Sequence, residues 1–168
     1  LLPLAGLRLL DLVEGTLGEI GRTLAEWGAN VIRVEPRAGG ADRRAGAKVG
    51  NVALGFAISN LGKASIALDL DLAADRAAFE TLASTADIVI EDSRMRRVTA
   101  GSLDIAALRR ANPVLVVLSL SGFGANTSFS SWQATDPVLH AMSGELSRSG
   151  LPEREPRLPP EIGRGSGR

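Results

Sequence analysis

Few residues in this 168-residue chain are equipped for chemistry, and they fall in short groups. Gly15, Gly18 and Gly21 come first, with Glu35 following twenty positions after Gly15. Glycines at a strand-to-helix turn, with an acid placed for a ribose hydroxyl, would suit a dinucleotide. The spacing is Gly-x-x-Gly-x-x-Gly, however, not the Gly-x-Gly-x-x-Gly that provides both a tight turn and room for pyrophosphate. Glu14 and Glu19 would also face the phosphates, so glycines that ease helix–sheet packing are the better account. No Walker-type Gly-Lys-Ser/Thr occurs. Asn60-Leu61-Gly62-Lys63 offers an amide and an ammonium, although a turn with a solvated lysine is the plainer reading. Lys63 is nonetheless one of two lysines, against 17 arginines.

Ser119-Leu120-Ser121-Gly122-Phe123-Gly124 brings hydroxyls and glycines to the end of an apolar run, where a ligand could approach backbone N–H groups. Serine nucleophile chemistry needs a base. The single histidine, His140, has no nucleophile-elbow motif near it, which argues against a Ser-His-Asp hydrolase. Asp136 before Pro137 is the most tempting carboxylate, yet Asp before Pro also makes a good helix N-cap. Residue pattern leaves cap and catalyst both open. Arg94-Met95-Arg96-Arg97 could receive a phosphate, but Glu91 and Asp92 balance it and a solvated face is the simpler reading.

The elements that must position these groups alternate. Leu7–Leu12 is an apolar run of the kind buried on both faces of a sheet. Thr16–Trp27 places Leu17, Ile20, Leu24 and Trp27 at helical spacing, closed by Gly28. Val31–Val34 predicts a second strand, and Pro36–Gly50 a surface loop with room for a broken helix. Ser65–Leu70 predicts a third strand, with Asp71 as cap of a helix over Ala73–Ala86. Ile88–Ile90 and Val114–Ser119 predict the fourth and fifth strands. Between those two, a helix opens at Ser102 or Asp104 and ends before Asn112-Pro113. A last helix runs from Asp136-Pro137 to about Leu146. This alternation predicts an α/β fold, a parallel sheet with helices on its faces.

Composition narrows the function. Nineteen basic and nineteen acidic residues leave a net charge of +0, which gives no electrostatic footprint for nucleic acid. The absence of cysteine excludes disulfides and thiolate metal sites, and with one histidine no metal is expected. No apolar run approaches a membrane span, and the opening Leu1-Leu2-Pro3-Leu4-Ala5 lacks signal-peptide character. A soluble cytoplasmic domain over residues 1–150 is expected. The Pro-, Gly- and Arg-rich stretch 151–168 is expected to be a tail or cut end, and the chain a fragment or truncation.

Taken in order, several runs resemble family III CoA-transferases, the group of formyl-, carnitine- and bile-acid-CoA transferases and α-methylacyl-CoA racemases. They are Pro3–Leu12, Gly28-Ala29-Asn30-Val31-Ile32-Arg33-Val34-Glu35-Pro36, Asn60–Leu70, Ala86–Glu91, Asn112-Pro113, Ser119–Gly124, and Asp136 with Ala141-Met142-Ser143-Gly144. The resemblance implies a Rossmann-like large domain, incomplete here, and an interlocked homodimer in the complete protein. It implies acyl-CoA and a carboxylic acid as small-molecule substrates, with no metal. By this carry-over Arg37, Asn60, Lys63, Leu68 and Asp92 would contact CoA. Gly122 and Gly124 would stabilise oxyanions through backbone, and Asp136 would be an active-site carboxylate other than the nucleophile. In the family an aspartate attacks the thioester and passes through a mixed anhydride to an aspartyl-CoA thioester.

The chain departs from the family in places. Where the nucleophilic aspartate is expected it reads Leu158-Pro159-Pro160-Glu161-Ile162-Gly163-Arg164-Gly165. Racemases carry His just before the Asp136 position, and here it is Thr135. Asp71 stands where a basic residue is common, which should weaken binding of a polyanion. The expected function is a CoA-transferase-type domain. The alternatives are a catalytically silent binding or dimerisation module, or half of a fused protein, and secondarily a racemase.

Overall fold

The computed structural model describes residues 2–92, 103–124, 126–132, 134–148, 150 and 153–154. In chain order the strands are β1 (Arg8–Asp11), β2 (Asn30–Glu35), β3 (Lys48–Val49), β4 (Val52–Ala53), β5 (Ala64–Ala67), β6 (Ile88–Asp92) and β7 (Val116–Leu120). The helices are α1 (Glu19–Glu26), α2 (Leu54–Ser59), α3 (Ala73–Ala83), α4 (Ile105–Ala111) and α5 (Asp136–Met142). The chain divides into two compact units, Leu1–Leu120 and Ser121–Arg168.

The first unit is a parallel five-stranded sheet in the order β5-β2-β1-β6-β7, with every pairing parallel. The sequence expectation of an α/β fold holds. β1 is central, and its alternating side chains feed two cores, because successive residues of a strand face opposite sides. Leu9 joins Val13, Val31 and Ile90, with Ile20 and Leu24 of α1 packed against them. Leu10 joins Val34, Phe79 and Ala83 of α3, and Leu108 of α4. Helices therefore cover both faces, which is why the inner strands read as nearly continuous apolar runs.

Several boundaries differ from expectation for local reasons. The first helix opens as a 3-10 turn over Gly15–Gly18 before α1 begins. Gly28 does close it: its φ of +102° is the left-handed conformation that ends helices, and a Cβ there would overlap Leu2. The 36–50 loop holds a 3-10 turn over Ala41–Arg43 and then pairs Lys48–Val49 with Val52–Ala53, a hairpin that leads into α2. Asp71 does not cap α3. The N-cap position is Leu72, with no side-chain cap, and the Asp71 N–H instead donates to the Asp69 carboxylate at 3.1 Å. Asp104 does cap α4, accepting from the Ala107 N–H at 2.9 Å. Asn112 then ties that helix back to α3, its amide donating to Ala86 O at 2.8 Å and Ala83 O at 3.2 Å. β6 runs two residues past Ile90, pairing Glu91 and Asp92 with Ser119 and Leu120.

The second unit holds α5 and a 3-10 turn over Glu145–Arg148. Asp136 is the first residue of α5, and the N-cap position belongs to Thr135, so Asp136 is not the cap. Among the described residues no helix is long and apolar enough to cross a membrane.

Candidate functional site

The strand order reverses between β1 and β6, and in open parallel sheets ligands bind beyond the strand carboxyl ends at such a switch point. A largely apolar cleft of about 930 Å³ lies there, within the usual range for small-molecule sites. Its walls come from successive strand ends: Leu12 after β1, Glu35 and Arg37 at the end of β2, Leu68 after β5 and Asp92 at the end of β6. Arg37, Leu68 and Asp92 are thus brought together, while Asn60 and Lys63 are not among the residues that line it.

Lys63 sits in a buried network. Its ammonium donates to Asp11 Oδ2 at 2.7 Å, Gly18 O at 2.7 Å and Asn60 Oδ1 at 3.1 Å. Three acceptors match its three protons, and both ends of the Lys63–Asp11 pair are 1% exposed. The turn sequence was legible, but the lysine is not solvated. Gly21 packs over this pair, where a Cβ would overlap the Asp11 carboxylate. Gly21 therefore serves close packing, whereas Gly15 has open space around it and a φ of +72°.

Arg33 continues the network. It is 1% exposed, and its Nη1 donates to Asn60 Oδ1 at 3.0 Å and Val13 O at 3.2 Å, its Nη2 to Asp42 Oδ1 at 2.8 Å. Its Nε lies 3.5 Å from Glu35 Oε2 and has no hydrogen-bond partner among the described residues. Asp42 Oδ2 in turn accepts the Gly15 N–H at 3.0 Å. The loop after β1, the 3-10 turn after β2 and the Asn60 turn are therefore fastened to one guanidinium. Phe56 of α2 lies under it, with the Arg33 and Arg43 guanidinium carbons 5.3 and 4.2 Å from the ring centroid.

Glu35 is occupied as well. It accepts from Arg43 Nε at 2.7 Å, from the Gly40 N–H at 3.0 Å and from the Ser65 hydroxyl. The Arg43 hydrogen bond outweighs the cost of burial and lowers its pKa from the ordinary 4.5 to about 2. A carboxylate so engaged is a poor ribose acceptor, which agrees with setting the dinucleotide reading aside. At the cleft edge, Arg37 Nε and Nη2 donate to the two oxygens of Asp75 at 3.0 and 2.9 Å.

In the second unit Gly122 packs so closely on Ala134 that a Cβ would overlap it. Gly124 has φ +82°, and its N–H donates to Ser121 Oγ at 2.9 Å. Phe123, Phe129 and Trp132 form an edge-to-face cluster with centroids 4.7–6.3 Å apart. His140 Nδ1 pairs with the Glu145 carboxylate. The Arg94–Arg97 cluster and Glu161 lie outside the described residues.

Residue reasoning did not single out Asp11, Arg33, Asp42, Phe56 or Asp75. One signal was present: Asp11 and Arg33 each interrupt an apolar run, and they are register partners on neighbouring strands.

A doubly wound parallel sheet with an apolar cleft at its switch point defines a Rossmann-like α/β domain. The chain belongs to CoA-transferase family III, whose sequence profile matches residues 4–162. It is 40% identical over 157 residues to the probable CoA-transferase Rv1866 of Mycobacterium tuberculosis, covering 91% of this chain and 20% of that one. It is 35% identical over 156 residues to the acetyl-CoA:oxalate CoA-transferase of Acetobacter aceti, covering 92% of this chain and 40% of that one. Among solved structures, a CAIB/BAIF family protein from Brucella suis superposes with a TM-score of 0.83 at 32% identity. That match covers 96% of this chain and 43% of the other. The chain thus spans less than half the length of these relatives.

Proposed function

We propose that the chain is the CoA-handling part of an enzyme that moves CoA from an acyl-CoA donor to a carboxylic acid acceptor. The observation that carries this reading is the cleft beyond the strand ends, where Arg37, Leu68 and Asp92 converge. Family membership supports it, as does the acetyl-CoA:oxalate CoA-transferase relative, whose name pairs a CoA thioester with a carboxylic acid. In this reading CoA lies along Leu68 and Arg37. Asn60 and Lys63 act indirectly, by fixing the walls around Gly15 and Asp42. Gly122 offers a backbone N–H to a developing oxyanion, the Gly124 N–H joins it only by exchanging its bond to Ser121 Oγ, and Asp136 is an active-site carboxylate. The exchange begins when an enzyme carboxylate oxygen attacks the thioester carbonyl. The C–S bond breaks, CoA leaves as thiolate, and a mixed anhydride forms. The thiolate then attacks the enzyme carbonyl of that anhydride and releases the donor acid, leaving CoA on the enzyme for the acceptor.

Calorimetric titration with CoA tests the binding step. Saturation should raise the melting temperature, because a ligand at a hundred times its Kd stabilises the folded state by about 2.7 kcal/mol. Incubation with acyl-CoA should then leave a hydroxylamine-sensitive mass shift on a carboxylate. CoA binding without any such adduct would favour the catalytically silent module, and absence of both would remove the CoA reading.

A further inference from the structure

Arg37 is an exposed cation of the cleft, as is Arg44; the Arg37 side chain is 64% accessible, and its anchor Asp75 is only 11% accessible. The pairing is side-on: Nε and Nη2 are used, and no described residue accepts from Nη1. One edge of the guanidinium is held, while the opposite edge and the planar faces stay available. Asp75 stands in the first turn of α3, where the positive end of the helix favours a carboxylate. The same carboxylate accepts the Asp69 N–H at 2.7 Å, which fixes the turn following Leu68. A single buried acid therefore sets the orientation of two cleft-lining segments, one from the end of β2 and one from the end of β5. Its pKa is lowered, chiefly by the Arg37 hydrogen bonds, so it stays ionised to perform both tasks.

From this geometry we infer that Asp75 is a positioning residue for CoA, acting through Arg37. This rests on the cleft being the CoA site. An arginine held in its binding geometry loses little freedom when ligand arrives, whereas a loose one must be ordered at that moment. Asp75→Asn separates the two tasks of the carboxylate: its amide oxygen still accepts the Asp69 N–H, but the two-point charged clamp on Arg37 is lost.

The test is a double-mutant cycle on the full chain, read as CoA Kd by calorimetry beside the melting temperature without ligand. D75N should weaken CoA binding about three- to tenfold, the range for one side chain left to be ordered on binding. Its ligand-free melting temperature should barely move, since the partner arginine is solvent-exposed. R37A should also weaken binding, and D75N added to R37A should cost nothing further. R37K, which keeps charge but loses the planar fork, should match D75N and serves as the readout if D75N fails to fold. Wild-type affinity in D75N, or an additive loss on the R37A background, overturns the inference alone. A wild-type chain that does not bind CoA overturns it together with the proposed function.

Discussion

Lys63 and Glu35 show how single side chains here trade chemical availability for structure. With all three ammonium protons engaged, Lys63→Met would leave the Asp11 carboxylate buried without its counter-charge. Breaking a buried pair from one side costs about 3–5 kcal/mol. Urea denaturation should show a loss of that order, and the double change Asp11→Leu with Lys63→Met should recover much of it. Glu35 gives a pH signature. Its carboxyl titrates lower in the folded chain than in the unfolded one, so its contribution is complete above about 4.5. That contribution is lost as pH falls toward about 2. Stability measured from pH 6 to pH 2 should decline through this window, and Glu35→Gln should flatten the decline. An unchanged profile would show that Arg43 does not hold the carboxylate. Of these residues only Lys63 and Glu35 stood out in the sequence, where Lys63 read most simply as a solvated turn lysine and Glu35 as a ribose contact that the glycine spacing argued against. The reason is physical: an isolated charge near a strand end reads as exposed, and only the fold brings its partner from 52 positions away, as Asp11 is from Lys63.

Among the elements, the two predicted helix caps form a controlled comparison. Both aspartates precede an apolar helix by similar spacing, yet Asp104 caps α4 while Asp71 donates its own N–H to Asp69. Asp104→Ala should cost about 0.5–2 kcal/mol, the usual value of a lost N-cap. Asp71→Ala should fall within about 0.5 kcal/mol of wild type, as exposed surface changes do. Equal losses in thermal unfolding would mean that Asp71 supports α3 after all. The buried strands were legible because a strand covered on both faces is mostly apolar, and β1, β2 and β6 keep short apolar runs despite the buried charges Asp11, Arg33, Glu35, Glu91 and Asp92. The β3–β4 hairpin and α2 were not. Each hairpin strand is two residues long, too short for any alternation to show, and α2 has six residues, fewer than two helical turns.

For the whole molecule, the balance of nineteen basic and nineteen acidic residues acquires a consequence once the sheet is seen. β7 is an edge strand among the described residues, and Val116 and Leu118 on it are 58% and 39% exposed, with Val114 just before it at 80%. An open edge with apolar side chains invites pairing with another chain, and a net charge of +0 offers no repulsion to oppose it. Light scattering at neutral pH should therefore show self-association that Val116→Lys reduces, with the far-ultraviolet circular dichroism unchanged. If Val116→Lys scatters as the wild type does, the edge is not the contact. The general fold was readable from alternating patterns, but which strands form the sheet's edges among the described residues, β5 and β7, depends on strand order, and that requires the structure.

The saturated ammonium of Lys63 also fixes how the chain behaves toward electrophiles. Unprotonated, accessible amines attack acylating agents, and arginine remains protonated at any physiological pH. Of the two lysines, Lys63 is sealed beneath Gly18 and Gly21, and Lys48 on β3 is exposed. Lys48 is thus the one lysine side chain that an activated acyl group can modify, and it lies outside the residues that line the cleft.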